Sequence, residues 1–96
     1  MRFLITWNSS SLSEADQSRI LSLFAKWQPP VELHEWSGFA DGSGGMCIAE
    51  TDDVDVLSAV TLPWTPWLNF TVQALQPIQQ TAAALSDAAS FRSSVT

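Results

Sequence analysis

Asp41-Gly42-Ser43-Gly44-Gly45-Met46-Cys47-Ile48-Ala49-Glu50 is the stretch whose reading decides the fold. Its glycines separate an extended run rich in Trp and Phe from a short apolar segment that stops at Glu50, Asp52 and Asp53, the pattern of a β-hairpin turn. A phosphate-cradling loop would join a strand to a helix N-terminus, whereas this one joins two strands. The hairpin therefore predicts strands over residues 31–40 and 45–50.

On the N-terminal side, Phe3, Ile5 and Trp7 alternate with Leu4 and Thr6, so residues 2–7 read as a strand covered on both faces. Residues 8–11 break it, and Ser11 with Glu14 three residues later fits a capping box. Ile20, Leu23, Phe24 and Trp27 then recur at the spacing of one helical face, and Pro29-Pro30 forbids continuation, which predicts a helix over 12–27. In the strand that follows, alternation puts Leu33 and Phe39 on one face and His34 and Trp36 on the other, with a kink at Gly38.

On the C-terminal side, Asp52, Asp53 and Asp55 sit where a helix N-terminus favours negative charge, ahead of an apolar stripe of Val56, Leu57 and Val60. Pro63 and Pro66 interrupt that helix, and Trp64 and Trp67 behind them read either as core anchors or as an exposed rim. Residues 69–75 alternate with the period of a last strand, and Pro77 opens an Ala-rich helix carrying Ile78, Ala82, Leu85 and Ala89. The order is β-α-β-β-α-β, an α+β ferredoxin-like arrangement: a four-stranded antiparallel sheet with two helices on one face. The expected organisation is a ferredoxin-like domain over 1–76, an accessory helix over 77–91 lying on the domain or on a partner subunit, and a disordered tail over 92–96.

A chain of 96 residues is one domain. At that size, folding alone buries roughly 64% of the unfolded surface. Five Trp and five Phe exceed what one thin core absorbs and point to a second buried face, hence to a homodimer paired through the sheet. Ten Asp and Glu against four Lys and Arg give a net charge of −6, the wrong sign for nucleic acid or an anionic membrane. Cys47 has no second cysteine to pair with, so a buried free thiol and a cytoplasmic setting are expected, and no apolar run reaches the ~20 residues of a membrane span.

The opening Arg2-Phe3-Leu4-Ile5-Thr6-Trp7, the hairpin from Asp41 through Asp53, and the closing Trp67-Leu68-Asn69-Phe70-Thr71-Val72 together resemble a small bacterial domain-of-unknown-function family. That family is itself similar to the dimeric α/β-barrel proteins. The resemblance implies a ferredoxin-like dimer without an established activity. Wider relatives include cofactor-free oxygenases, haem-degrading enzymes and stress-response proteins, but fold alone does not transfer function. Pro63 and Pro66 shorten the second helix where haem-degrading relatives place Trp and His, and the single His lies on the second strand, so no haem site is carried over.

His34, between Glu32 and Glu35, is the one conventional acid-base group, read either as an interface or core histidine or as the candidate catalytic residue. A single His with a single Cys makes no transition-metal set, and the acids after Glu50 lack the spacing of a calcium loop, so neither metal nor cofactor is expected. Alternation places Leu4, Thr6, His34, Trp36, Cys47, Ala49, Thr71 and Gln73 on the face away from the helices. That mixed face suits either a pocket for a small apolar ligand or the interdigitated packing of a dimer. The functional expectation is a homodimeric small-ligand-binding or protein-interaction module. The alternative is a cofactor-free enzyme of the dimeric-barrel type, oxygenase or isomerase-like, acting on a small apolar or aromatic compound.

Overall fold

The computed structural model describes residues 1–9 and 11–95. Four strands, β1 (Arg2–Asn8), β2 (Glu32–Gly38), β3 (Gly44–Glu50) and β4 (Asn69–Leu75), form one antiparallel sheet in the order β2-β3-β1-β4. Helix α1 (Glu14–Lys26) joins β1 to β2, α2 (Asp55–Thr61) with a 3-10 turn at Leu62–Trp64 joins β3 to β4, and α3 (Ile78–Ser94) follows. This is the ferredoxin-like arrangement that the order of elements predicted.

The hairpin turns at Gly42, whose φ of 76° a residue with a Cβ adopts only at a cost. Asp41 holds the turn: its carboxylate accepts from the Ser43 amide at 3.0 Å and from the Ser43 hydroxyl at 2.7 Å. Those two bonds stabilise the ionised form and keep the Asp41 carboxyl below its ordinary range. Ahead of α2, whose N-cap Val54 carries no side-chain bond, the Asp53 carboxylate accepts from the Asp55 amide at 3.0 Å in a turn of the same kind. At α1 the cap is Ser13, whose hydroxyl accepts from the Asp16 amide at 3.1 Å, two residues later than Ser11. The Ser-x-x-acid spacing is the same in both frames, so spacing alone could not separate them. Ser10, within the predicted break, lies outside the described residues.

The core lies between the sheet and α2. Phe3, Ile5, Cys47 and Ala49 from the sheet pack with Leu57 and Val60, and Ile5 is wholly buried. The register explains the membership. Phe3 is opposite Ala49, and Ile5 is opposite Cys47. Residues directly opposite each other share a face, so Cys47 and Ala49 lie on the helix side and not on the open face where alternation placed them. Trp36 is also corrected. Between His34, which pairs with Ile48, and Ser37, which pairs with Met46, β2 carries one residue more than β3. Glu35 absorbs it at φ 49°, and this bulge turns Trp36 toward the helices, where its ring meets Phe24 and Trp27.

The open face keeps Leu4, Thr6, His34, Thr71 and Gln73, together with Met46 and Ile48. Helix α3 buries none of its residues and continues to Ser94, three residues into the stretch read as a tail, while Thr96 lies outside the described residues. Its projection stretches the molecule to 58 × 28 × 22 Å and raises the radius of gyration to 17.6 Å, against about 12–13 Å for a compact chain of this length.

Candidate functional site

Helix α1 should lie down on the sheet, given its stripe of Ile20, Leu23, Phe24 and Trp27, yet none of its residues is buried. It stands off, and the gap beneath it is a cleft of about 300 Å³. Ile20, Leu21, Phe24 and Trp27 form the roof; Ile5, Trp7, Leu33, Trp36, Cys47 and Phe70 of the sheet form the floor; Val60, Trp64 and Leu68 close one end. Four of the five tryptophans meet there.

Each tryptophan arrives by a separate local cause. Trp7 lies opposite Gly45, and a Cβ at Gly45 would run into the Trp7 indole and the Ser37 carbonyl. The missing side chain is what lets the indole lie across β3 and lean on Phe70, 6.3 Å away. Trp27 is the C-cap of α1, its amide donating to the Phe24 carbonyl at 3.3 Å, where the chain turns extended before Pro29. Trp36 is delivered by the bulge. Trp64 comes from the 3-10 turn that Pro63 enforces, with the Trp67 and Leu68 amides both donating to its carbonyl. At 6% exposure Trp64 is a core anchor, which decides between the two readings open for it, whereas Trp67 is half-buried outside the cleft.

The rings interlock edge to face. Trp27 meets Trp64 at 5.3 Å and 88°, and Trp36 at 6.0 Å and 77°; Phe24 meets Trp36 at 5.4 Å and 64°. Such pairs contribute about 0.5–1.5 kcal/mol each beyond area burial. The one titratable side chain on the lining is Cys47, and burial pushes its thiol above the ordinary 9.0. A neutral, buried thiol is a weak nucleophile and packs as a small hydrophobe.

The sequence candidates divide between two faces. Trp36 and Cys47 line the cleft, and Ala49 lies in the core. Leu4, Thr6, His34, Thr71 and Gln73 sit on the open face, outside it. There His34 Nε2 is 3.2 Å from Glu50 and 3.8 Å from Glu32, three possible ligands within 4.8 Å of one another. Glu32 and Glu50 are directly paired across the strands, a like-charge contact that costs stability, and His34 sits between them. Both carboxylates are exposed, whereas His34 Nε2 is itself buried and makes no hydrogen bond among the described residues. His34 is too far removed, by the thickness of the sheet, to act on a molecule in the cleft.

Trp7, Trp27 and Trp64 line the cleft without being singled out as site residues by any motif or alternation in the sequence. The signal available was composition: so many Trp in one short chain exceeds what packing needs. A family model described as Domain of unknown function (DUF3303) matches residues 1–89. No curated protein matches the chain.

Proposed function

The chain belongs to the DUF3303 family, and from that premise we propose that it is a small-ligand-binding module whose site is the aromatic cleft beneath α1. The observation that carries the reading is the standing-off of α1 over four tryptophans. A chain built only for stability would close that gap, since apolar surface left in water forgoes about 25 cal/mol per Å² of burial. The ligand class follows from the lining. Apolar walls with a neutral thiol suit an uncharged, planar, apolar compound. A dry cavity of about 150 Å³ accepts benzene. Twice that volume fits two fused rings.

Binding is favoured over catalysis because the lining offers no carboxylate, imidazole or amine to move a proton. The second element of the proposal is a homodimer paired through the open sheet face. Leu4, Met46 and Ile48 form an apolar centre there, in which Ile48 is buried and Leu4 and Met46 are half-buried.

Thermal unfolding with 2-naphthol as the probe tests the ligand site. A hundredfold excess over Kd raises stability by about 2.7 kcal/mol. Leu33→Trp, which fills the floor, should abolish that gain. Equal melting temperatures with and without 2-naphthol, or an equal gain in Leu33→Trp, would overturn the assignment.

A further inference from the structure

Helix α3 carries its large apolar side chains, Ile78, Leu85, Phe91 and Val95, on one half of its surface, and none of its residues is buried. At 100° per residue, Ile78, Thr81, Ala82, Ala84, Leu85, Ala88, Ala89, Phe91, Arg92 and Val95 fall in one arc of about 180°. The other half holds Gln79, Gln80, Ala83, Ser86, Asp87, Ser90, Ser93 and Ser94. The apolar arc is interrupted only by Thr81 and Arg92. Yet Ile78 is 72% exposed, Leu85 66% and Phe91 68%. Most helical stability in proteins comes from packing of an apolar face, and α3 has none of its residues buried. The exit angle is nevertheless fixed, since Pro77 precedes the first turn and the Gln76 side-chain amide donates to the Thr81 hydroxyl at 2.8 Å.

We infer that α3 is a reciprocal arm whose apolar arc packs against a second copy of this chain. The inference rests on the homodimer reading and adds what the sheet face alone cannot supply. Four seven-residue strands present a face of about 450 Å², well below the ~800 Å² per partner of a stable interface. The arc of α3, about 26 Å long, offers about 400 Å² more, which brings the pair to the required size. The large side chains Ile78, Leu85, Phe91 and Val95 span about 140° of that arc. That spread fits the angle between two surfaces, as at the rim of a sheet-paired dimer. By two-fold symmetry each protomer receives the arm it extends.

Sedimentation equilibrium on the full chain, on Leu85→Glu, on Phe91→Glu and on the polar-arc control Ser86→Glu tests this, with far-UV circular dichroism checking that each variant is folded. The full chain and Ser86→Glu should dimerise alike, and Leu85→Glu and Phe91→Glu should each raise the dimer Kd by about 100-fold, the loss expected for a charge forced into an interface core. A dimer of unchanged Kd in both apolar-arc variants would overturn the arm while leaving sheet pairing in place. A full chain that stays monomeric at ~100 μM would overturn the arm and the sheet pairing together, since an interface of this size lies in the micromolar range or tighter. The cleft is formed within one protomer, so 2-naphthol binding is a separate readout in either event.

Discussion

Gly45→Ala is the substitution that most directly probes how the chain builds its cleft. A Cβ at that position would meet the Trp7 indole and, on the other side, the Ser37 carbonyl of the neighbouring strand. The indole can yield toward Phe70 or into the cleft it lines, but the Ser37 carbonyl belongs to the β2–β3 ladder and cannot move alone. Overpacking of this kind costs about 1–3 kcal/mol. The lower entropy of an unfolded chain with Ala in place of Gly offsets about 0.4–1 kcal/mol of that. The net destabilisation should be about 1–2 kcal/mol, a fall in Tm of about 5–15 °C for a chain of this size. Urea unfolding followed by Trp fluorescence measures it. Gly38→Ala is the internal control, because the nearest atom to its added Cβ is the Gly44 carbonyl oxygen at 3.9 Å, and it should be neutral or slightly stabilising. A Gly45→Ala protein as stable as its parent would refute the claim that Gly45 exists to seat Trp7.

Trp64→Ala removes a buried ring packed edge-on against Trp27 and should cost about 3–5 kcal/mol by chemical denaturation; Trp67→Ala, half-buried outside the cleft, should cost clearly less. The Cys47 thiol is held above its ordinary pKa in the folded chain, so its contribution to stability is fully present below pH ~9 and is lost as pH rises through the folded value. Denaturation midpoints from pH 8 to 10.5 should therefore fall more steeply for the parent than for Cys47→Ala, and parallel profiles would contradict it. Glu35→Gly relieves a left-handed backbone at the bulge and should raise stability by about 1 kcal/mol, whereas Glu35→Val should lower it. Equal effects of the two in urea titrations would show that the bulge carries no such strain.

The fold was legible because its signals are local and redundant. Gly42 at the hairpin, the prolines after α1 and α2, and the alternation in β1 each specify one element independently. The site was less legible, for a reason of parity. Placing Cys47 and Ala49 required knowing that Ile5 faces Cys47, and one residue of slip exchanges the two faces of a strand. Trp36 depended on a bulge at Glu35, where nothing in the residue type announces a positive φ. The standing-off of α1 is a tertiary property, since its stripe of Ile20, Leu23, Phe24 and Trp27 is what a fully docked helix would also show. In α3 the large apolar residues were visible, but that the helix buries none of its residues was not.

The central claim, a ligand cleft walled by four particular tryptophans, is tested most directly by the five indole N–H resonances in a two-dimensional ¹H–¹⁵N spectrum during titration with 2-naphthol. Trp7, Trp27, Trp36 and Trp64 line the cleft and Trp67 does not. Ring currents from a bound aromatic act over a few ångströms, so four resonances should shift along one saturable curve while the Trp67 resonance stays in place. Saturable shifts confined to Trp67, or no saturable shift in any of the five, would contradict the account.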